Sequence, residues 1–102
     1  MTEAQQAIIS IAQGLDEANA VVKPSFEAQF EALVEYIDDL IQRDFNKLIS
    51  ILYRVDVSEE KLKRALHQNP EIPASRIITT MLLERELEKR KWRAMYPTRK
   101  LV

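Results

Sequence analysis

The sequence predicts an all-α protein, a bundle of four or five helices built around a long central helix. Three observations carry that prediction. Glycine occurs once in 102 residues. Apolar residues recur at steps of three and four, and no stretch alternates with period two for long enough to make a strand. Residues 26–56 keep one apolar phase for about eight turns at 3.6 residues per turn. Hydrophobic residues at 46% and charged residues at 30% make a globular balance rather than a disordered one. A chain of this length is expected to form one domain, residues 1–102, with a little over 60% of its unfolded surface buried.

The first helix is predicted to start at Thr2. Thr2-Glu3-Ala4-Gln5 fits a capping box, in which the Thr hydroxyl and the Gln amide satisfy orphan backbone N–H groups. Ala4, Ile8, Ile11, Leu15, Ala18 and Val22 form one narrow apolar stripe. Gly14 lies off the stripe and reads as a kink or a stop, at ~1 kcal/mol against Ala. Lys23-Pro24-Ser25 ends the segment, because Pro24 disfavours the α region at Lys23.

Ser25 is the expected N-cap of the central helix, with Phe26 its first residue. Phe26, Phe30, Leu33, Val34, Ile37, Leu40, Ile41, Phe45, Leu48, Ile49, Ile51, Leu52 and Val55 fall within one half of the helical wheel. A single helix of ~30 residues and ~45 Å follows. Asp44 stands inside that apolar half, so it is either the cap of a break, with Phe45 opening a new helix, or a semi-buried acid needing a partner.

Asp56-Val57-Ser58-Glu59-Glu60 is a restart. Ser58 is a good N-cap, Glu59 and Glu60 suit the first turn, and Val57 with Leu62 forms a hydrophobic staple. This short helix ends by Asn69-Pro70. The last helix opens between Pro73 and Ser75. Ala74, Ile77, Ile78, Met81, Trp92, Met95 and Tyr96 share one face, interrupted by Arg85 and Glu88, with Leu83 and Leu87 opposite. A helix apolar on two sides touches two layers of protein or a second subunit. Leu83, Leu87, Trp92 and Tyr96 are thus the candidate self-association residues. Pro97 stops the helix, and residues 98–102 read as a frayed tail.

The expected core is Ile8, Ile11, Leu15, Phe30, Leu33, Ile37, Leu40, Ile41, Phe45, Leu48, Leu52, Leu62, Leu66, Ile78 and Met81. Short loops at Lys23-Pro24 and Asp56-Val57 imply antiparallel neighbours.

The run Asp44-Phe45-Asn46-Lys47-Leu48, then Ile51-Leu52-Tyr53-Arg54-Val55-Asp56-Val57-Ser58-Glu59, then Lys61-Leu62, is similar to a group of small uncharacterised helical proteins of bacteria, chiefly Bacteroidetes. The likeness covers about the middle third of the chain and the start of the last helix. It implies a bacterial cytosolic setting and no particular activity.

Chemistry is narrowly bounded. Without Cys there is no disulfide, no Cys-ligated metal and no thiol nucleophile. His67 is the sole histidine, and it falls where it would interact with the last carbonyls of the short helix. Glu27, Glu31 and Glu35 form a helical ladder and Glu84 and Glu88 a pair, but a di-iron bundle also needs two Glu-x-x-His pairs, which are absent. These acids read as solvated faces. One glycine cannot build a phosphate loop, a dinucleotide fingerprint or a nucleophile elbow. No cofactor, no metal and no enzymatic activity are expected. The N-terminus lacks a basic start and an apolar run, and no stretch approaches the ~18 apolar residues of a span, so the expected location is the cytoplasm.

The net charge of −1 hides an asymmetry. Residues 1–44 carry nine acids and two bases, a charge of −7; residues 45–102 carry seven acids and thirteen bases, a charge of +6. Either the halves attract each other, inside the fold or across a dimer, or a basic surface meets an anionic partner. Residues 85–100 hold seven bases, with Trp92 and Tyr96 between them. Lys89, Arg90, Lys91 and Arg93 are the candidate contacts to nucleic acid or another anion. An anionic membrane surface is a further candidate for this helix. The bland alternative is a solvated helix end folded against the acidic half. The functional expectation is a non-enzymatic interaction or structural module that associates with itself or another protein, with a nucleic-acid-associated protein as the alternative.

Overall fold

In a computed structural model of the chain, residues 2–14 and 25–95 are described, the side chains of 12–14 excepted. Leu15, Ala18, Val22, the turn at Lys23-Pro24, Tyr96 and the tail at 98–102 lie outside the described residues. The fold is all-α, as expected. Its helices are α1 (Glu3–Gly14), α2 (Phe26–Arg43), α3 (Phe45–Val55), α4 (Glu59–Gln68) and α5 (Ala74–Met95).

Local chemistry sets the starts. The capping box at α1 forms, with the Gln5 N–H donating to Thr2 Oγ1 and the Thr2 N–H donating to Gln5 Oε1, each at 3.1 Å. Ser25 caps α2 by accepting from the Ala28 N–H, and Ser58 caps α4 by accepting from the Lys61 N–H. Pro73 leads into α5, its carbonyl accepting from the Arg76 and Ile77 N–H groups.

The central rod is divided, and Asp44 divides it. Its backbone is non-helical at φ −149° and ψ 69°. Its N–H still donates to the Leu40 carbonyl and ends α2, while its carboxylate accepts from the Lys47 N–H and starts α3. Of the two sequence alternatives the capped break is the one observed. Asp44 is exposed, not semi-buried. Lys47 in the first turn of α3 lies over the Tyr36 ring of α2, 5.9 Å from its centroid.

The break changes which side chains enter the core. α3 buries Leu48, Ile51 and Val55. Phe45, expected in the core, is 55% exposed, because a helix restarted at Asp44 no longer carries the α2 face forward. Around this, α1, α2 and α5 pack on one another, and α3 and α4 each pack on α5. Ile8, Leu33, Ile37, Leu48 and Leu82 are fully buried, each such side chain contributing roughly 1.5–3 kcal/mol of burial. Phe30, Ile41, Leu52 and Leu62, also expected in the core, are half-buried and packed against it, and Leu66 and Met81 are half-buried.

The face of α5 is the second correction. Its buried residues include Ser75, Ile78, Thr79, Leu82, Leu83 and Glu86, a face centred away from the Met81 and Trp92 side. That face was hidden because three of its members are polar. Thr79 is fully buried with its hydroxyl donating to the Ser75 carbonyl at 2.7 Å. Glu86 accepts from Arg93 at 3.2 Å.

The third correction concerns the turn after α3. Asp56 takes the left-handed conformation, φ 69° and ψ 50°. The Val57 N–H donates to the Leu52 carbonyl and the Asp56 N–H to the Tyr53 carbonyl, a Schellman motif with Asp where Gly is usual. Short as this turn is, α3 and α4 do not become close neighbours; both lean on α5 and leave a gap between them.

Candidate interaction surface

That gap is an apolar groove of about 400 Å³. One wall is α3, through Phe45, Ile49, Leu52 and Tyr53; the other is α4, through Leu62 and Leu66. Ala74 and Ile78 of α5 and Ile41 of α2 complete it, and Val57 from the Schellman turn lines it beside Leu52. α3 is thus apolar on two sides, with Leu48, Ile51 and Val55 turned into the core. Phe45 and Tyr53 stand 55% and 78% exposed. The charged members of the lining are Glu59 and Lys63, paired with each other at 3.3 Å. The groove offers burial of apolar surface and no nucleophile–base pair. Its volume is in the range of ligand and peptide pockets.

Two further recesses carry several charged side chains in their linings. One, of about 660 Å³, lies where the start of α4 faces the middle of α5 and is lined by Asp56, Lys61, Glu84, Arg85, Glu88 and Lys91. Arg85 organises it, donating to Glu88 at 2.8 Å, to the Asp56 carboxylate at 3.0 Å and to the Asp56 carbonyl at 3.0 Å. The hydrogen bond to Glu88, and next that to Asp56, raise the guanidinium's pKa above its ordinary value. The other recess, of about 520 Å³, is lined by Ser10, Ile11, Arg54, Val55, Glu86, Lys89 and Arg93.

The residues expected to bind an anion are mostly engaged within the chain. Lys89 donates to the Val55 carbonyl at 3.0 Å and reaches the Arg54 carbonyl at 3.5 Å, placing its charge on the C-terminal end of α3. Arg90 binds Glu3 and Gln6 of α1. Arg93 binds Glu86. Lys91 is exposed and makes no ion pair among the described residues. Charge also crosses between the halves at Arg76, which donates to both Glu31 oxygens, at 2.7 and 2.8 Å, and lies over the Phe30 ring. The attraction between acidic and basic halves is therefore realised inside the fold at Arg76–Glu31 and Arg90–Glu3.

The self-association candidates divide. Leu83 is 8% exposed and belongs to the core, and Leu87 packs against it half-buried, so the chain itself covers both. Trp92 is 57% exposed. His67 is exposed in the last turn of α4. Of the carboxylate ladders, Glu31 faces Arg76 and Glu88 faces Arg85.

Sequence reasoning missed the groove. Its local signal was present: Asp44 as a cap places Phe45 in a first turn, and the stripe Phe45, Ile49, Leu52 and Tyr53 runs beside the buried stripe of α3. No family model, no curated protein and no solved structure matches the chain. Among the described residues no helix is long and apolar enough to cross a membrane.

Proposed function

We propose that the chain is a non-enzymatic protein-interaction module whose binding surface is the groove between α3 and α4, and that the groove takes an apolar helix face. The observation that carries this reading is the exposure of Phe45 and Tyr53 at the edge of a groove whose one charge pair is Glu59–Lys63. Helix-in-groove recognition uses such a surface: apolar knobs at i, i+3 and i+4 enter a trough and leave polar groups at the rim. The contacts of Lys89, Arg90 and Arg93 favour this reading over nucleic-acid binding, since those three cations already have acceptors in the chain.

The test is the fluorescence of anilinonaphthalene sulfonate with the full chain at low protein concentration. The expected result is strong, blue-shifted emission that falls at least severalfold in Phe45→Asp and in Leu66→Asp, with helical circular dichroism retained. Emission no higher than that of the dye alone, or equal emission from all three proteins, would overturn the reading.

A further inference from the structure

We propose that the occupant of the groove is the same face of a second copy of this chain, the two copies set antiparallel across α3 so that Phe45 of each meets Tyr53 of the other. This rests on reading the groove as a docking surface and names its partner. Phe45, Ile49 and Tyr53 follow one another at steps of four on α3 and fall within an arc of ~80°. All three line the groove. The two rings are 55% and 78% exposed, and Ile49 between them is half-buried. The rings stand ~12 Å apart along the helix, with Ile49 midway. A two-fold axis through Ile49 therefore brings each phenylalanine level with the tyrosine of the other copy.

A two-fold contact needs one surface that supplies both knob and hole. This face does. Phe45 and Tyr53 project from the α3 wall, and beside them lies a trough of about 400 Å³ with Leu62 and Leu66 on its far side. The charges permit the contact. Glu59 and Lys63, the charged side chains of the lining, neutralise each other at 3.3 Å. Identical faces with a net charge repel each other; this lining has none, so two copies meet without like-charge repulsion. The area agrees as well. A covered aromatic side chain buries roughly 150–250 Å², so rings 55% and 78% exposed bring roughly 200–300 Å² per copy. Ile49, Leu52, Leu62 and Leu66, all half-buried, add their open edges. Two copies together reach the low end of specific interfaces, about 1,000 Å² in total, where association is weak and reversible.

Sedimentation equilibrium of the full chain, carried to about 500 µM to include weak association, tests this. The expected result is a reversible dimer of the 11.9 kDa chain. Phe45→Lys and Tyr53→Asp should each weaken it at least tenfold. Helical circular dichroism should be retained, because both positions are exposed. An equimolar mixture of the two variants should form a heterodimer at least severalfold tighter than either variant with itself. In it one Phe45–Tyr53 contact is intact, and at the other the introduced lysine faces the introduced aspartate. A monomer throughout the range overturns the proposal, and so does a mixture no tighter than the variants alone. In either case dye emission that still falls in Phe45→Asp leaves the groove reading standing with a different occupant. Dye emission indifferent to Phe45→Asp overturns both.

Discussion

The Nζ of Lys89 lies 3.0 Å from the main-chain carbonyl oxygen of Val55, thirty-four residues earlier in the chain. The last carbonyls of a helix have no intrahelical partner, and they form the negative end of its dipole. A cation from α5 therefore closes α3 and holds the two helices in register. Lys89→Met keeps the aliphatic stem and removes the charge. It should cost about 1 kcal/mol in a denaturant titration, the scale of a charged hydrogen bond at a helix end. Lys89→Arg should recover part of the loss. A Met variant within about 0.5 kcal/mol of the parent would mean that Lys89 behaves as an ordinary surface lysine.

Asp44 ends one helix and starts the next through a single residue. Asp44→Ala should lose about 1 kcal/mol, and Asp44→Ser should keep most of it, because the hydroxyl replaces the carboxylate as acceptor for the Lys47 N–H. Equal stability of the Ala and Ser variants in thermal melts would show that the cap contributes nothing.

Gln29 is 2% exposed, and its Oε1 has no hydrogen-bond partner among the described residues. A buried amide oxygen without a donor carries its desolvation cost uncompensated. Gln29→Met is close in shape and removes the polar atoms, so it should raise stability by about 1 kcal/mol. A shift of the denaturation midpoint in the opposite direction would mean that the amide is satisfied in solution.

Asp56 holds a positive φ of 69°. A β-branched side chain fits that region badly, so Asp56→Val should cost about 1–2 kcal/mol. Asp56→Gly relieves the backbone but removes the carboxylate that Arg85 binds at 3.0 Å. The exposed pair is worth under about 1 kcal/mol, so the Gly variant should melt close to the parent. A Val variant as stable as the Gly variant would contradict the Schellman geometry.

Legibility in the sequence followed the range of the interaction. Thr2, Ser25 and Ser58 were readable as caps because a cap is an oxygen and an N–H three residues away. Asp44 was readable as a choice between two states but not as one of them. A continuous apolar phase and a strong N-cap argue in opposite directions, and only packing arbitrates. The inward face of α5 was misassigned because Ser75, Thr79 and Glu86 lie on it. Thr79 is buried with its hydroxyl bound to its own helix, and Glu86 with an arginine two turns on, so both satisfy their polar groups in ways a hydropathy pattern does not register. The partners of the candidate anion contacts were illegible for a related reason. Lys89 and Arg90 look like an exposed basic run in one dimension, yet their acceptors, Val55 and Glu3, are far away along the chain.

The amino-acid order by itself determined that this chain is helical and where most of its helices begin, since each of these follows from neighbours within a turn; it left two fates open for the acidic and basic halves. Only the tertiary structure decided that the rod breaks at Asp44, that Leu83 belongs inside, and that α3 and α4 stand apart with an apolar groove between them. Those outcomes depend on how several helices share the surface of α5, a competition among long-range contacts that leaves no periodic mark on any one segment.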